Sequence, residues 1–429
     1  MSDAKNVLVY PAGTEIAFEI HEALKYSKFV KLFGANGEEC HADFVFKNCF
    51  YNLPYANDDN FIDAINDIVD KYNIDYIYPA HDDALLVFSN NREKVHCEII
   101  ASDKKTIDIC RSKNKTYDYL SGSSYLPVNY KNINEIPSYP VFIKPSVGQG
   151  SKGAMKINDQ AHLEEALSSE VEYTISEYLP GAEYTVDCFT DIHGKLRFVN
   201  PRTRERIRAG ISVRSRNIAF NQDIQNMAED INSRLSFNGA WFFQIKENKN
   251  GQFRLMEIAP RIAGTMGFTR NLGVNMPLLT LYNFWGYDVD IINNANNSLV
   301  DRAFISRFKT DISYDTVYVD FDDSLIVKNL VNTQLIMFLY QAKNAGKSIV
   351  LLTRHSTDIY EDLAKYCISE KLFDEIIHLK VAEDNKTDYI KPNSIFIDDS
   401  FAERKRVHDK CHIPVFDLDM IESLLDWKA

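Results

Sequence analysis

Short apolar runs alternate along this chain with segments whose apolar residues recur at helical spacing, the pattern of layered α/β structure. Asn6–Tyr10 (NVLVY) reads as a buried strand, followed by a turn at Pro11–Thr14 and a helix over Ile16–Tyr26. Val30–Phe33, Tyr76–Tyr78 and Ile99–Ala101 are further strands, with helices over 59–72 and 106–120. Together they predict an open, mostly parallel sheet of about 110 residues.

From Tyr139 the pattern changes to longer strands and hairpins. Val141–Lys144 and Ala154–Ile157 flank a glycine-rich turn, and Tyr173–Leu179 and Tyr184–Thr190 are joined by Pro180–Gly181. Trp241–Lys246 and Phe253–Ile258 meet across Asn248–Gly251, a hairpin signal. Asp288–Ser298 is rich in asparagine and places a linker close behind it. Four strands then alternate with helices: Thr316–Phe321, Ile349–Thr353, Ile376–Leu379 and Ser394–Ile397. They predict a second parallel α/β domain.

The 429 residues exceed one ordinary core, and 45% hydrophobic with 25% charged residues is globular composition. A net charge of −13 argues against a nucleic-acid partner, which needs clustered lysine and arginine. The seven cysteines are scattered and never spaced C-x-x-C, as expected for reduced thiols. His408 and His412 lack the companions of a zinc site and read as an exposed helix end. No signal peptide is visible, and no uncharged apolar run reaches about 18 residues. The expectation is a cytoplasmic protein without a membrane partner.

Chemistry enters at Val141–Gly153 (VFIKPSVGQGSKG). Its glycines allow backbone N–H groups to approach phosphate oxygens, and Lys144 at a strand end supplies a cation beside them. Alone, such a turn is as readily a plain hairpin. Glu177–Glu183 (EYLPGAE) ends a strand in a sharp turn that can offer backbone groups to an adenine edge, and Glu183 to ribose hydroxyls. Gln244 and Glu257 stand on neighbouring strands, where oxygen ligands can hold Mg²⁺ between phosphates, with Arg261 to offset charge on a γ-phosphoryl group. Arg202–Arg208 suits a carboxylate or phosphate, or else is a solvated charged loop; His81–Asp83 is either a substrate segment or a helix cap.

Lys113, FIKPSVGQGSKG, EYLPGAEYTVD and QIKENKNGQFRLMEIAPRIAGT, in that order, resemble the ATP-grasp superfamily. The likeness is to its carbamoyl-phosphate-synthase-large-subunit and carboxylate–amine ligase branch, over residues 1 to about 305. It implies a pre-ATP-grasp sheet domain at 1–110 and an α+β ATP-grasp domain at 111–305. By that resemblance Lys113 and Lys144 contact phosphates, and the lid carries Gly148, Gly150, Ser151 and Gly153. Glu177 and Leu179 form the adenine hinge, Glu183 holds ribose, and Gln244 and Glu257 hold the metal. The cofactors implied are ATP and Mg²⁺, with Mn²⁺ as an alternative ion. The chemistry is carboxylate activation by phosphoryl transfer, then attack by an amine. One departure stands out: the family often reads Glu-x-Asn-Pro-Arg, and this chain has Ala259 where the asparagine would be.

Beyond the linker, Val317–Ser324 (VYVDFDDS) sets carboxylates two apart just past a strand, where they can share a cation and a phosphate. Thr353 in IVLLTR, Lys386 in EDNKTDYI and Asp398–Asp399 in SIFIDDS follow in order. The set resembles the haloacid dehalogenase superfamily over 313–429. It implies a capless, Rossmann-like domain, because the gaps of roughly 30 residues between motifs leave no room for a folded cap. By resemblance Asp320 attacks phosphorus and Asp322 is general acid and base. Thr353 and Lys386 hold phosphate, while Asp320, Asp398 and Asp399 hold Mg²⁺. Lys380 is the rival lysine.

The leading expectation is a bifunctional enzyme, a ligase for small carboxylates and amines joined to a phosphatase for a phosphorylated metabolite. A homodimer is compatible with it. A carboxylate or carbamate activator that needs no amine stays open for the first half, as does an ATP-sensing clamp that regulates the phosphatase.

Overall fold

The computed structural model describes residues 4–148, 150–294, 298–380 and 384–428. Gln149 of the glycine-rich turn, 295–297 of the asparagine-rich stretch and Glu383 ahead of Lys386 lie outside the described residues. The chain divides into two compact units, one ending at Phe304 and one spanning Ile305–Lys428.

The first unit opens with β1 (Lys5–Tyr10), β2 (Val30–Ala35), β3 (Cys49–Phe50), β4 (Tyr76–Pro79) and β5 (Glu98–Ile99), parallel in the order β3-β2-β1-β4-β5. Alternate residues of β1 enter two different cores. Val7 and Val9 pack with Ala17, Ile20 and Leu24 of α1 (Glu15–Leu24). Leu8 and Tyr10 pack with Phe61 and Ile65 of α2 (Phe61–Tyr72) and with Leu85 and Phe88 of α3 (Asp82–Asn90). Helices on both faces leave the carboxyl ends of β1 and β4 as the natural place for a ligand.

The helix expected over 106–120 is two, α4 (Lys104–Arg111) and α5 (Lys113–Tyr119). Ser112 between them is extended (φ −114°, ψ 123°), and its hydroxyl caps α5 through the Lys115 N–H. The helical periodicity runs on across the break, so local pattern does not reveal it.

Four strands form an antiparallel sheet in the order β6-β9-β7-β8: β6 (Asn129–Tyr130), β7 (Val141–Pro145), β8 (Met155–Ile157) and, after α6 (Gln160–Leu167), β9 (Tyr173–Glu177). Next come β10 (Glu183–Thr190), β11 (Leu196–Thr203), β12 (Arg206–Arg208), β13 (Ile211–Arg216) and α7 (Gln222–Arg234). They are followed by β14 (Gly239–Glu247), β15 (Phe253–Ala259), α8 (Gly267–Asn271), α9 (Met276–Phe284) and β16 (Leu299–Asp301). Their sheets run β11-β10-β14-β15 and β12-β13-β16. The strands on either side of Pro180–Gly181 therefore do not form a hairpin with each other; they enter different sheets. Gly181 instead packs on the end of β14, donating its N–H to the Glu247 carbonyl at 3.0 Å.

The second unit contains β17 (Thr316–Val319), the hairpin of β18 (Ile326–Val327) and β19 (Leu330–Val331), α10 (Thr333–Asn344) and β20 (Ser348–Thr353). It continues through α11 (Ile359–Lys365), β21 (Glu375–His378), β22 (Ser394–Ile397), α12 (Phe401–Cys411) and β23 (Val415–Phe416). Its sheet is parallel in the order β21-β20-β17-β22-β23. Val317 and Val319 face one core and Tyr318 the other. Between Asp322 and Thr353 stand one short hairpin and one helix, so no folded domain is inserted there.

Gly239, where β14 begins, has φ +88°, and a Cβ there would lie 2.3 Å from Thr280 Cγ2 on α9. Thr280 cannot retreat without losing its hydrogen bond from the Ala240 N–H (3.0 Å). Gly239→Ala is expected to destabilise the first unit by about 2 kcal/mol, from overpacking added to backbone strain, read from its urea midpoint.

Candidate active sites

In the first unit a cavity of about 300 Å³ opens between the ends of β1 and β4, the β14–β15 pair and the glycine-rich turn. Gln244 faces Glu257 across β14 and β15, and the next pair is Ile245 with Leu255, which leaves Met256 as an extra residue. Such a bulge re-aims its neighbours and frees a carbonyl from the ladder. The Met256 carbonyl accepts Lys144 Nζ at 2.7 Å and the Tyr117 hydroxyl at 3.1 Å. Gln244 and Glu257 both line the cavity.

Lys144 is 8% exposed, and burial pushes its pKa down to about 8 against the attraction of Glu257 and Glu183. Lys113, at the start of α5, donates to the Gly148 carbonyl at 3.4 Å, and burial lowers it too, with Glu257 opposing. Among the described residues neither lysine closes a salt bridge. Two buried ammonium groups thus have carbonyl, hydroxyl and through-space partners but no contacting carboxylate, an arrangement that favours a polyanion beside them.

The turn between β7 and β8 carries Gly150, Ser151 and Gly153 at φ +63°, +58° and +72°. Gly210, between β12 and β13, approaches it so closely that a Cβ would lie 2.3 Å from the Gly150 carbonyl carbon. Gly148 and Gly150 line the cavity; Ser151 and Gly153 lie outside its lining. So do Glu177, Leu179 and Glu183, at the passage from β9 to β10. Glu177 accepts the Val128 N–H at 3.0 Å, and Glu183 is paired with Arg204 at 2.7 Å and Lys246 at 3.6 Å.

The arginines are more committed than a solvated loop would be. Arg202 is fully buried, with Nε and Nη2 on Asp187 at 2.9 and 3.1 Å. Arg206 pairs with Asp301. Arg261 is held in a two-pronged pair by Asp82, both contacts 2.6 Å, and Arg111 pairs with Asp83. The His81–Asp83 segment is thus the cap of α3, through His81, and also a clamp on two arginines that line the cavity.

In the second unit the parallel pairing of Val319 with Ile397 sets Asp320 and Asp398 side by side past their strands. Lys386 Nζ reaches both, at 2.6 Å each, and all three side chains are buried. Lys380, by contrast, is exposed. Asp320, Asp398 and Asp399 each offer an oxygen within 4.8 Å of the others. Burial raises Asp320 to about 6, with Lys386 lowering it and Asp398 raising it, and burial also raises Asp398. Three carboxylates around one ammonium leave a surplus of negative charge that suits a divalent cation. Thr353, fully buried at the end of the adjacent β20, has a hydroxyl that interacts with Asp320, lowering the Asp320 pKa against burial, and no partner of ordinary hydrogen-bond geometry among the described residues. Asp322 is half exposed and accepts from His355 Nδ1 at 2.8 and 3.0 Å.

A family model described as "ATP-grasp in the biosynthetic pathway with Ter operon" matches residues 169–308. The first unit has the ATP-grasp fold. The arginine-specific carbamoyl phosphate synthase large chain of Bacillus subtilis (strain 168) is 24% identical over 273 residues, 57% of this chain and 25% of that protein. The chain therefore spans a quarter of that relative's length. Among solved structures, the biotin carboxylase domain dimer of Hydrogenobacter thermophilus 2-oxoglutarate carboxylase, in complex with MgADP, ADP and bicarbonate, superposes with a TM-score of 0.57. It is 15% identical, over 70% of this chain and 74% of that one. An L-amino acid ligase from Bacillus licheniformis gives a TM-score of 0.53 at 18% identity, over 66% and 74%.

Of the residues singled out in sequence, Lys113, Gly148, Gly150, Gln244, Glu257 and Arg261 line one cavity of the ATP-grasp unit. Asp320, Thr353, Lys386, Asp398 and Asp399 cluster in the other unit. Tyr117 and His355 were missed, although His355 was open to notice as a titratable group two residues past Thr353; Asp82 was noticed, but as a substrate or cap residue and not as the partner of Arg261. Ala259 packs into the core at 7% exposure and offers the cavity no side-chain oxygen.

Among the described residues, the Asp187 side chain has Thr269 Oγ1 (2.7 Å) as its one hydrogen-bond partner besides Arg202. Arg202→Leu is expected to cost about 3–5 kcal/mol in chemical denaturation, because it strands a buried carboxylate. Replacing Asp187 by leucine in the same chain should recover most of the loss.

Proposed function

We propose that the first unit is an ATP-dependent carboxylate–amine ligase and the second a Mg²⁺-dependent phosphatase with an aspartyl-phosphate intermediate. The observation that carries the first reading is the pair of buried lysines without contacting carboxylates beside a glycine-rich turn. Lys113, Lys144 and the turn's backbone N–H groups would take the triphosphate, Glu177 and Leu179 the adenine, and Glu183 the ribose. Gln244 and Glu257 would hold Mg²⁺ or Mn²⁺, whose charge screens phosphate oxygens when bound. A carboxylate substrate attacks the γ-phosphorus, ADP leaves, and an amine displaces phosphate from the acyl phosphate. Arg261, fixed by Asp82, would face the charge developing on the transferred group. The likeness to a solved L-amino acid ligase supports an amine as the second acceptor.

Ala259 favours a second reading, an ATP-sensing clamp without turnover. The assay is ADP release from ATP and Mg²⁺ across a library of carboxylates and amines. Release that requires both substrates, and that Lys144→Met reduces at least tenfold, is the expected outcome. Release with carboxylate alone points to an activator, and nucleotide binding without release to the sensor.

In the second unit Asp320 would attack phosphorus while Asp322 protonates the leaving oxygen, then deprotonates the water that cleaves the aspartyl-phosphate. Thr353 and Lys386 would hold the phosphoryl oxygens. Asp320, Asp398 and Asp399 would hold Mg²⁺, which neutralises charge there when bound. With no domain inserted between Asp322 and Thr353, the site suits a phosphorylated metabolite. Asp320→Asn is expected to abolish p-nitrophenyl phosphate hydrolysis while leaving ADP release unchanged; surviving hydrolysis would overturn the nucleophile assignment.

A further inference from the structure

The acid–base residue of the proposed phosphatase is held by one neighbour. Asp322 lies in an exposed turn, ahead of Asp323 at φ +52°, and its side chain is 49% exposed. Among the described residues, its side chain has hydrogen bonds to His355 alone. That imidazole is 8% exposed and packs edge-on against Phe321 at 5.0 Å. Its Nε2 meets Asp362 Oδ2 at 2.8 Å and Thr357 Oγ1 at 2.7 Å, and Thr357 in turn donates to Asp362 at 2.6 Å. His378 Nε2 lies 2.7 Å from the His355 carbonyl, tying the segment to β21. A ring with a carboxylate at each nitrogen is in place to donate from both, and the two aspartates hold its pKa up against burial.

We propose that His355 is the positioning residue for the phosphatase acid–base step, anchored by Asp362 and holding the carboxyl of Asp322 in one orientation. The inference rests on the phosphatase reading. In the first step the bond from phosphorus to the leaving oxygen breaks as the Asp320–phosphorus bond forms, and the Asp322 proton goes to that oxygen. In the second, water displaces Asp320 from phosphorus and returns a proton to Asp322. His355 ends each step as it began. Its donation to Asp322 stabilises the carboxylate left after proton release and keeps a solvent-facing side chain from sampling other rotamers.

A positioned general acid matters most when the leaving group is a strong base, which gives the test. Hydrolysis of p-nitrophenyl, phenyl and p-methoxyphenyl phosphate is measured for the full-length protein and for His355→Ala, His355→Asn and Asp362→Asn. For His355→Ala the loss in kcat should grow along the series, reaching on the order of 10²-fold for the most basic leaving group, with KM nearly unchanged. His355→Asn, which retains an N–H near the Nδ1 position, should recover part of it. Asp362→Asn should show a weaker form of the same trend, and it decides the matter should His355→Ala fail to fold. A loss equal across the three substrates would mean that His355 is merely structural and would overturn the proposal. Asp320→Asn separates the two levels: hydrolysis that survives it defeats the phosphatase reading itself.

Discussion

A lysine ammonium withdrawn from water is tolerated only where oxygen atoms replace its hydration shell, and two such groups organise this chain. Around Lys144 the oxygens are neutral, a Met256 carbonyl and a Tyr117 hydroxyl, so its charge stays uncompensated at contact distance. Around Lys386 they are two carboxylates, with a third close by. The first site is left short of negative charge and the second carries too much. A polyphosphate corrects the one and a divalent cation the other, so the two imbalances point to complementary ligands. The backbone sets both up. A bulge in β15 turns a carbonyl toward Lys144, and the parallel register of β17 with β22 brings Asp320 beside Asp398.

The second site was the more legible in sequence because Asp320, Thr353, Asp398 and Asp399 stand at or just past strand ends, although Lys386 sits on a short 3₁₀ turn between β21 and β22. In a parallel sheet, adjacent strand ends converge without needing details of side-chain packing. The first site was legible where a hairpin fixed the pairing, as for Gln244 with Glu257. It was opaque where partners were distant. Nothing in FRLMEIA marks Met256 as an extra residue, since Ile245 and Leu255 remain apolar across the bulge. The Ser112 break hides inside a run that keeps helical spacing. Pro180–Gly181 looks like a hairpin turn, yet β9 pairs with β7 and β10 with β14, choices made by strands far away in sequence. The run Arg202–Arg208 looks solvated, but Arg202 is drawn inward by Asp187 on the paired strand β10.

Ala259 is given over to packing at the position where the family resemblance would place a metal ligand. It pairs with Phe242 and joins Ile262, Ala263 and Met266 in the core. It also lines the cavity, so an asparagine there would meet apolar core on one side and the polar lining of Gln244, Glu257 and Arg261 on the other. Two residues on, Arg261 stacks over Phe242 at 5.2 Å and is anchored by Asp82. The segment after Glu257 is therefore organised around an arginine–aspartate pair and an aromatic face. The side-chain oxygens that the β14–β15 pair offers the cavity are those of Glu257 and Gln244.

On the proposed phosphatase reading, burial would sort the roles of the two aspartates in the second unit. Asp320 is 5% exposed and shares a lysine, which would hold its carboxylate in place for the proposed attack on phosphorus. Asp322 is half exposed, so it can exchange protons with solvent between the two steps, but exposure also frees its rotamers. No domain is inserted between Asp322 and Thr353 to restrict it. An anchored neighbour supplies that restriction without excluding water, which the second step consumes. In that sense the absence of an inserted domain and the His355 network answer the same requirement: such a site keeps its water only if its acid is held from the side.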